Sequence, residues 1–191
     1  MTEQELVKKL QQADQLAFKH LVDKYQDKVQ NTCWGFVKSS TEAEDLTQEV
    51  FIEIYESIHA FKFDSKLGTY IYRVAVNKSL DYIRKQKSQK RWGVILSILS
   101  WSENKELPSM PDWEHPGVTL ENKERASILM SKVQELPDNQ RVAFTLHKIE
   151  GLSYQEIAEV MQVSLASVES LIFRAKQNLK KKLQGYYQQG I

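Results

Sequence analysis

The sequence predicts an all-α protein of two small helical domains joined by a flexible linker, the second domain a helix-turn-helix. Three observations lead there. Apolar residues recur at three- and four-residue spacing through both halves, and no stretch alternates strictly as a half-buried strand would. Gly (7) and Pro (4) are scarce among 191 residues, which disfavours a turn-rich β sandwich or barrel. Three of the four prolines, Pro108, Pro111 and Pro116, crowd into a segment that also holds Trp101 and Trp113 and almost no Lys or Arg. That shift of composition marks a linker over 91–122, between an N-terminal domain (1–90) and a C-terminal one (123–191).

The helices follow in order. Thr2-x-x-Glu5 and Thr41-x-x-Glu44 fit the capping box, in which a hydroxyl accepts from an early backbone N–H and the acid reaches back. Residues 14–38 carry Leu16, Ala17, Leu21, Val22, Tyr25, Val29, Cys33, Phe36 and Val37, a long amphipathic pattern. After Thr41, Leu46, Val50, Ile54 and Ile58 repeat every four residues, with Phe51 and Tyr55 widening the stripe. From about 67 to 89, Ile71, Val74, Ala75, Leu80 and Ile83 form a further face. Beyond the linker, Ser153-x-x-Glu156 caps a short helix with Ile157, Ala158 and Met161 inward. A turn at Gln162–Ser164 leads into a long helix with Val168, Ile172, Ala175, Leu179 and Leu183 inward. Short helix, tight turn and long helix make the helix-turn-helix pattern, for which an ordinary helical hairpin is the plainer alternative.

The formal net charge is only +1, but its distribution is uneven. Glu42 to Glu56 holds six acids and no base, whereas Arg73 to Arg91 holds seven bases and one acid, Asp81. Ser170 to Gln184 holds five bases and no acid. By segment the charge is +1 for 1–90, −3 for 91–122 and +3 for 123–191. The basic runs suit phosphate contact, which gives affinity without sequence information. One of them shares its helix with Tyr70, Tyr72 and Tyr82, aromatic faces able to stack on unpaired bases. The acidic run cannot bind DNA and points to a protein partner or to simple solvation.

No catalytic constellation emerges. His20, His59, His115 and His147 are scattered without metal-ligand spacing, there is no Gly-rich phosphate loop, and the one cysteine, Cys33, sits in an apolar helical stretch as a core thiol would. No cofactor or metal is expected. The start, MTEQELVKKLQQ, lacks the apolar core of a signal peptide, and no apolar run approaches the roughly 20 residues of a spanning helix. The chain therefore reads as cytoplasmic, with no membrane insertion and no small-molecule substrate.

The chain resembles the extracytoplasmic-function (ECF) sigma factors of bacterial RNA polymerase. AEDLTQEVFIEIY (43–55) looks like the family's polymerase-binding helix, and YIYRVAVNKSLDYIRK (70–85) like the helix that melts and reads the −10 promoter element. The stretch 136–179, from LPDNQRVAF to FRAKQNL, looks like the domain that reads the −35 element. The resemblance implies that Asp45, Gln48, Glu49 and Glu53 contact core RNA polymerase, with Leu46 in the core. It implies that the loop Phe61–Gly68, with Phe61, Lys62, Phe63 and Asp64, forms a pocket for a base flipped out of the −10 element. Tyr70, Arg73, Asn77 and Arg84 then face that DNA, with Asp81 orienting a neighbouring base. In the C-terminal domain it implies that Ser164 caps the recognition helix, and that Ser167, Glu169, Ser170, Arg174 and Lys176 face the −35 element. Lys180 and Lys181 lie further along for phosphate contact, and Arg141 lies near the DNA backbone or in a surface ion pair.

Leu67-Gly68, Glu169 and Leu171 depart from the common pattern, so promoter sequence does not transfer from relatives. The expected partners are core RNA polymerase, promoter DNA and an anti-sigma factor, and the acidic linker is expected to run through the polymerase cleft. A helix-turn-helix activator would explain 151–183 alone, and a helical adaptor without a DNA role would explain the helices alone.

Overall fold

The fold is that of a computed structural model, which describes the backbone of residues 2–37, 39–99 and 120–189 and the side chains of 2–37, 39–88 and 126–184. The described residues are helical, with no strand. Helix α1 (Glu3–Gln11) begins at Thr2, whose side chain accepts from the Glu5 N–H while Glu5 reaches back. Asp14 caps α2 (Gln15–Trp34) by accepting from the Leu16 and Ala17 N–H groups. Helix α3 (Ser40–Ser57) starts two residues earlier than the Thr41 box suggests. Ser39-x-x-Glu42 is the box that forms, and Ala43 lies in the core just beyond it.

Helix α4 (Leu67–Leu99) runs nine residues into the segment read as linker, since no proline precedes Pro108 to stop it. The rest of that segment, 100–119, lies outside the described residues, and with it the acidic stretch expected in the polymerase cleft. The C-terminal block is α5 (Leu120–Gln134), α6 (Asp138–Lys148), α7 (Tyr154–Met161) and α8 (Leu165–Gln189).

The four-residue stripe of α3 is buried as expected: Leu46, Val50, Ile54 and Ile58 join Leu21, Val29 and Cys33 of α2 and Ile71 and Ala75 of α4 in one core. Two residues leave that pattern. Leu16 is 80% exposed and Tyr55 is turned to solvent, because each sits on the rim of its helix's apolar arc. Burial pushes the Cys33 thiol up to about 11, which suits a core residue. In α7 the buried residues are Ile157 and Val160, with Ala158 and Met161 on the margin.

The second core is shared by the two blocks. Phe36 and Tyr72, Val76 and Ile83 of α4 pack with Val142, Ala143 and Leu146 of α6, Ile157 and Val160 of α7, and Val168 and Ile172 of α8. A third cluster, Val133, Leu136, Phe144, Ala175 and Leu179, holds α5 and α6 to α8. Helix α4 thus has three working faces. Ile71 and Ala75 face the N-terminal core; Tyr72, Val76 and Ile83 face the C-terminal block; Tyr70, Arg73, Asn77 and Arg84 lie along a third strip.

Candidate nucleic-acid and partner interfaces

On α3, Asp45, Gln48 and Glu49 are exposed and adjoin each other at three- and four-residue spacing. Glu53 stands one turn past Glu49 but is half-buried. It turns to α4, where its carboxylate meets Lys78 Nζ at 2.9 Å, and it lines the pocket on that side. Apolar residues that the sequence pattern did not single out as contacts lie beside the three. Ile52 is 57% exposed, and Phe18 of α2 meets Tyr55 edge-on at 5.0 Å. Between α2 and α3 runs a groove of about 470 Å³ lined by Phe18, Val22, Thr47, Gln48, Phe51 and Ile52. For Ile52 the available signal was position: it is an apolar residue standing off the stripe of its helix.

The loop before α4 is built to hold a shape. Helix α4 begins at Leu67, so the loop spans 61–66 and Gly68 is helical. Gln11 donates to the carbonyls of Ile58 and Phe61, at 3.3 and 2.9 Å, and Glu3 accepts from the Leu67 N–H at 2.9 Å. Phe63 has φ 62°, a left-handed backbone that bulky residues rarely adopt, and is 43% exposed. Phe61 lies 5.3 Å from Phe63 and 5.0 Å from Tyr70, centroid to centroid. Beneath them opens a pocket of about 370 Å³ lined by Ser57, Phe61, Lys62, Asp64, Tyr70, Arg73 and Asn77 among others. Ser57 Oγ and the Tyr70 hydroxyl share a hydrogen bond of 2.6 Å, and burial raises Tyr70 above the usual phenol range. The pocket lining therefore brings together the residues expected there except two, Phe63, which leans on Phe61 without lining it, and Arg84. Arg84 sits further along α4 in an exposed pair with Asp81 at 2.8 Å, the orienting role expected for that acid.

Tyr72 and Tyr82 are not stacking platforms here. Tyr72 is buried between the blocks and donates to Glu150 Oε2 at 2.8 Å. Tyr82 donates to Glu42 at 2.7 Å and accepts from Gln86, and burial with the Glu42 bond pushes it up to about 12. Helical rotation explains the division, since only Tyr70 lies on the strip with Arg73 and Asn77.

In the C-terminal block Gln162, with φ 55°, ends α7 in a left-handed cap, and the Val163 N–H returns to the Ala158 carbonyl at 3.1 Å. Ser164 Oγ accepts from the Ser167 N–H at 3.2 Å at the start of α8. Ser164, Ser167, Glu169, Arg174 and Lys176 are exposed and Ser170 is half-buried, opposite Val168, Ile172, Ala175 and Leu179. Phe173, 61% exposed, stands on the same open face; its signal in the sequence was that it falls between the inward positions Ile172 and Ala175.

Arg141 is a different case. It is only 5% exposed, and its guanidinium donates to the Leu136 carbonyl at 3.1 Å and to the Gln134 carbonyl. It closes the end of α5 rather than facing outward. Asp138 lies 3.8 Å away, and burial pushes the guanidinium down from its ordinary value.

Among the described residues, no helix is long and apolar enough to cross a membrane, and no group of three or more His, Cys, Asp or Glu stands ready for a metal ion.

Two family models match the chain: sigma-70 region 2 over residues 21–89, and sigma-70 region 4 over residues 120–179. The ECF RNA polymerase sigma-E factor of Haemophilus influenzae is 35% identical over 185 residues, covering 96% of both chains. The RNA polymerase sigma-H factor of Pseudomonas aeruginosa is 34% identical over 183 residues, covering 95% of this chain and 94% of that one. Two solved structures share the fold. CnrH, in complex with the cytosolic domain of CnrY, aligns with a TM-score of 0.68 at 21% identity over 96% of this chain and 97% of that one. The sigma factor RpoE of Bartonella quintana, in complex with the anti-sigma factor NepR, aligns with a TM-score of 0.66 at 18% identity, covering 87% and 96%.

Proposed function

Because the chain belongs to the ECF sigma factors of the sigma-70 family, we propose that it binds core RNA polymerase and directs initiation at a specific promoter set. The observation that carries this reading is the presence on one chain of three separate surfaces in the order the task needs. An acid-rimmed apolar groove on α2 and α3 docks on the polymerase. The aromatic pocket before α4 takes a base unstacked from the −10 element, with Arg73 and Asn77 beside it. The open face of α8 reads the −35 element in the major groove.

Each surface has a physical logic. Asp45, Gln48 and Glu49 pair with basic groups on the polymerase, while Ile52 and Leu16 bury apolar area there. Unstacking a base step costs a few kcal/mol, offset by stacking on Tyr70 and enclosure by the loop. The chain brings no catalytic group of its own and leaves phosphoryl transfer to the polymerase. It works in the cytoplasm, with an anti-sigma factor as its inhibitor, the kind of partner seen on the Bartonella quintana relative.

The test is run-off transcription with core polymerase and purified protein on a pool of genomic fragments. A promoter-specific transcript is expected. No transcript, together with failure to co-elute with core enzyme, would refute the reading. Glu49→Lys should weaken core binding and leave promoter duplex binding intact, which separates the polymerase face from the DNA face.

A further inference from the structure

Helix α1 carries none of the residues assigned above to polymerase or DNA, yet it grips the loop of the base pocket at both ends. Glu3, Val7 and Gln11 follow each other at four-residue spacing, so they share one side of the helix. Glu3 and Gln11 stand ~12 Å apart along its axis, at ~1.5 Å per residue. Val7 is fully buried and, with Leu6 and Leu10, fixes α1 to the N-terminal core. From that anchored side the Gln11 amide donates to the Ile58 carbonyl at 3.3 Å and to the Phe61 carbonyl at 2.9 Å, where the loop begins. The Glu3 carboxylate accepts from the Leu67 N–H at 2.9 Å, where the loop ends.

Little else holds the loop. Among the described residues its backbone–backbone bonds lie at its ends, from the Phe61 N–H to the Ile58 carbonyl and from the Tyr70 N–H to the Lys66 carbonyl, each at 3.1 Å. None starts or ends within 62–65. Phe63 meanwhile keeps its left-handed backbone, a conformation that persists only where the surroundings enforce it. The residue before α4 is Lys66, whose side chain donates and never accepts, so it cannot cap the helix. An acid from α1 takes that place, at the helix end where free N–H groups and the dipole favour negative charge. Neither Glu3 nor Gln11 lines the pocket, so their effect on a bound base passes through the loop.

We propose that Glu3 and Gln11 are positioning residues for the flipped base, and that α1 is a two-point brace holding residues 61–66 in the base-receiving shape before DNA arrives. This rests on the sigma-factor reading. The ligand is one nucleobase of the unpaired −10 strand, taken up beside Phe61 and Tyr70. A loop already in its bound shape needs no ordering when the base enters, whereas a released loop is ordered at the expense of affinity.

The experiment uses the full-length chain and a single-stranded oligonucleotide carrying the −10 region of a promoter recovered by run-off transcription. 2-Aminopurine replaces its bases in turn, and the fluorescence of that analogue changes with its stacking. The position of largest change with wild-type chain marks the flipped base. Gln11→Ala should bind about tenfold more weakly, the order expected when two ordinary hydrogen bonds no longer hold the loop. Its analogue signal at that position should shrink even at saturation. Glu3→Ala should bind about threefold more weakly, and Glu3→Gln, whose amide oxygen still accepts from the Leu67 N–H, should bind no more weakly than wild type. The sign separates this from bulk charge: both Glu3 variants remove a negative charge, which by itself would tighten DNA binding in each. Affinities for core polymerase and for the −35 duplex should stay unchanged in all three. If Gln11→Ala loses its helical signal, the Glu3 pair decides, since that side chain is exposed. Wild-type affinity and signal in Gln11→Ala and Glu3→Ala, or equal weakening by Glu3→Ala and Glu3→Gln, overturns the brace. So does an equal loss of polymerase and −35 duplex binding, which would mark general unfolding. Each of these leaves the sigma reading intact if the wild-type chain still yields the promoter transcript. Absence of that transcript, with no single-strand binding by the wild-type chain, overturns both.

Discussion

The Tyr72 hydroxyl donates to Glu150 Oε2 across 2.8 Å, and the other carboxylate oxygen, Oε1, is buried without a partner. Burial pushes the Glu150 carboxyl above its ordinary range, opposed by the Tyr72 bond, by Lys28 and by Asn31. Burial and the facing carboxylate together raise Tyr72 as well. The docked form therefore holds the Glu150 proton more tightly than a separated form would. Docking gains strength as pH falls through the raised value and loses it as pH rises above. The free chain should become more compact on going from neutral pH into the upper carboxylate range, measured by scattering. Glu150→Gln should remove that dependence.

Arg141 gives a prediction of opposite kind, for stability rather than affinity. Its bonds to the Gln134 and Leu136 carbonyls close the end of α5, and its guanidinium is buried. Arg141→Ala should cost about 1.5–3 kcal/mol in denaturant unfolding, the range for hydrogen bonds to a charged group. The salt dependence of −35 duplex binding should stay the same. Arg174→Ala, on the exposed face of α8, should instead lower the salt slope by about 1 and leave unfolding alone. A lowered slope for Arg141→Ala would place it on the DNA.

Much of this was legible in the sequence because the physics is local. A four-residue apolar repeat and a Ser-x-x-Glu box specify helices whatever surrounds them, and the stripes of α3 and α8 are buried as read save Tyr55, which is exposed, and Leu183, which is half-buried. What was not legible depends on which blocks meet. Tyr72 and Tyr70 are two residues apart on a basic helix, and only the docking of the C-terminal block sends one into a seam and leaves the other over a pocket. Arg141 read as a surface cation because nothing in its neighbours announces that α5 ends beneath it. Glu53 continues the acidic row one turn past Glu49, and only the packing of α4 on α3 puts Lys78 within its reach.

Tyr70 sits where ring and hydroxyl serve different ends. The ring stands 5.0 Å from Phe61 over the pocket, while the hydroxyl bonds Ser57 at 2.6 Å. Tyr70→Ala should weaken binding of the −10 single strand by about 1–3 kcal/mol, the range for one stacked base. Tyr70→Phe should keep most of that affinity, since it removes only the bond that steadies the ring. Equal losses for the two variants in a fluorescence titration would show that positioning by Ser57, not stacking, carries the contact.

Glu169 is the sharpest test of how the −35 element is read. Leu165, Glu169 and Phe173 follow each other at four-residue spacing along the open face of α8, and Glu169 has no ion-pair or hydrogen-bond partner among the described residues. The bases of that helix, Arg174, Lys176, Lys180, Lys181 and Lys182, begin only after Phe173. An acid held towards DNA is repelled by phosphates, and the favourable contact open to it is acceptance from the cytosine N4 amino group. Apolar neighbours suit thymine methyls. Duplexes selected by the wild-type protein from a randomised pool should therefore carry cytosine at one position, flanked by thymine. Glu169→Gln should shift that position towards adenine, with a change of about 1–3 kcal/mol in preference. Glu169→Lys should raise affinity for all duplexes and steepen the salt dependence, because a repulsive charge becomes an attractive one. If wild type and Glu169→Gln select the same base at every position, Glu169 does not read the element, and its position beside Phe173 has only a steric effect on docking.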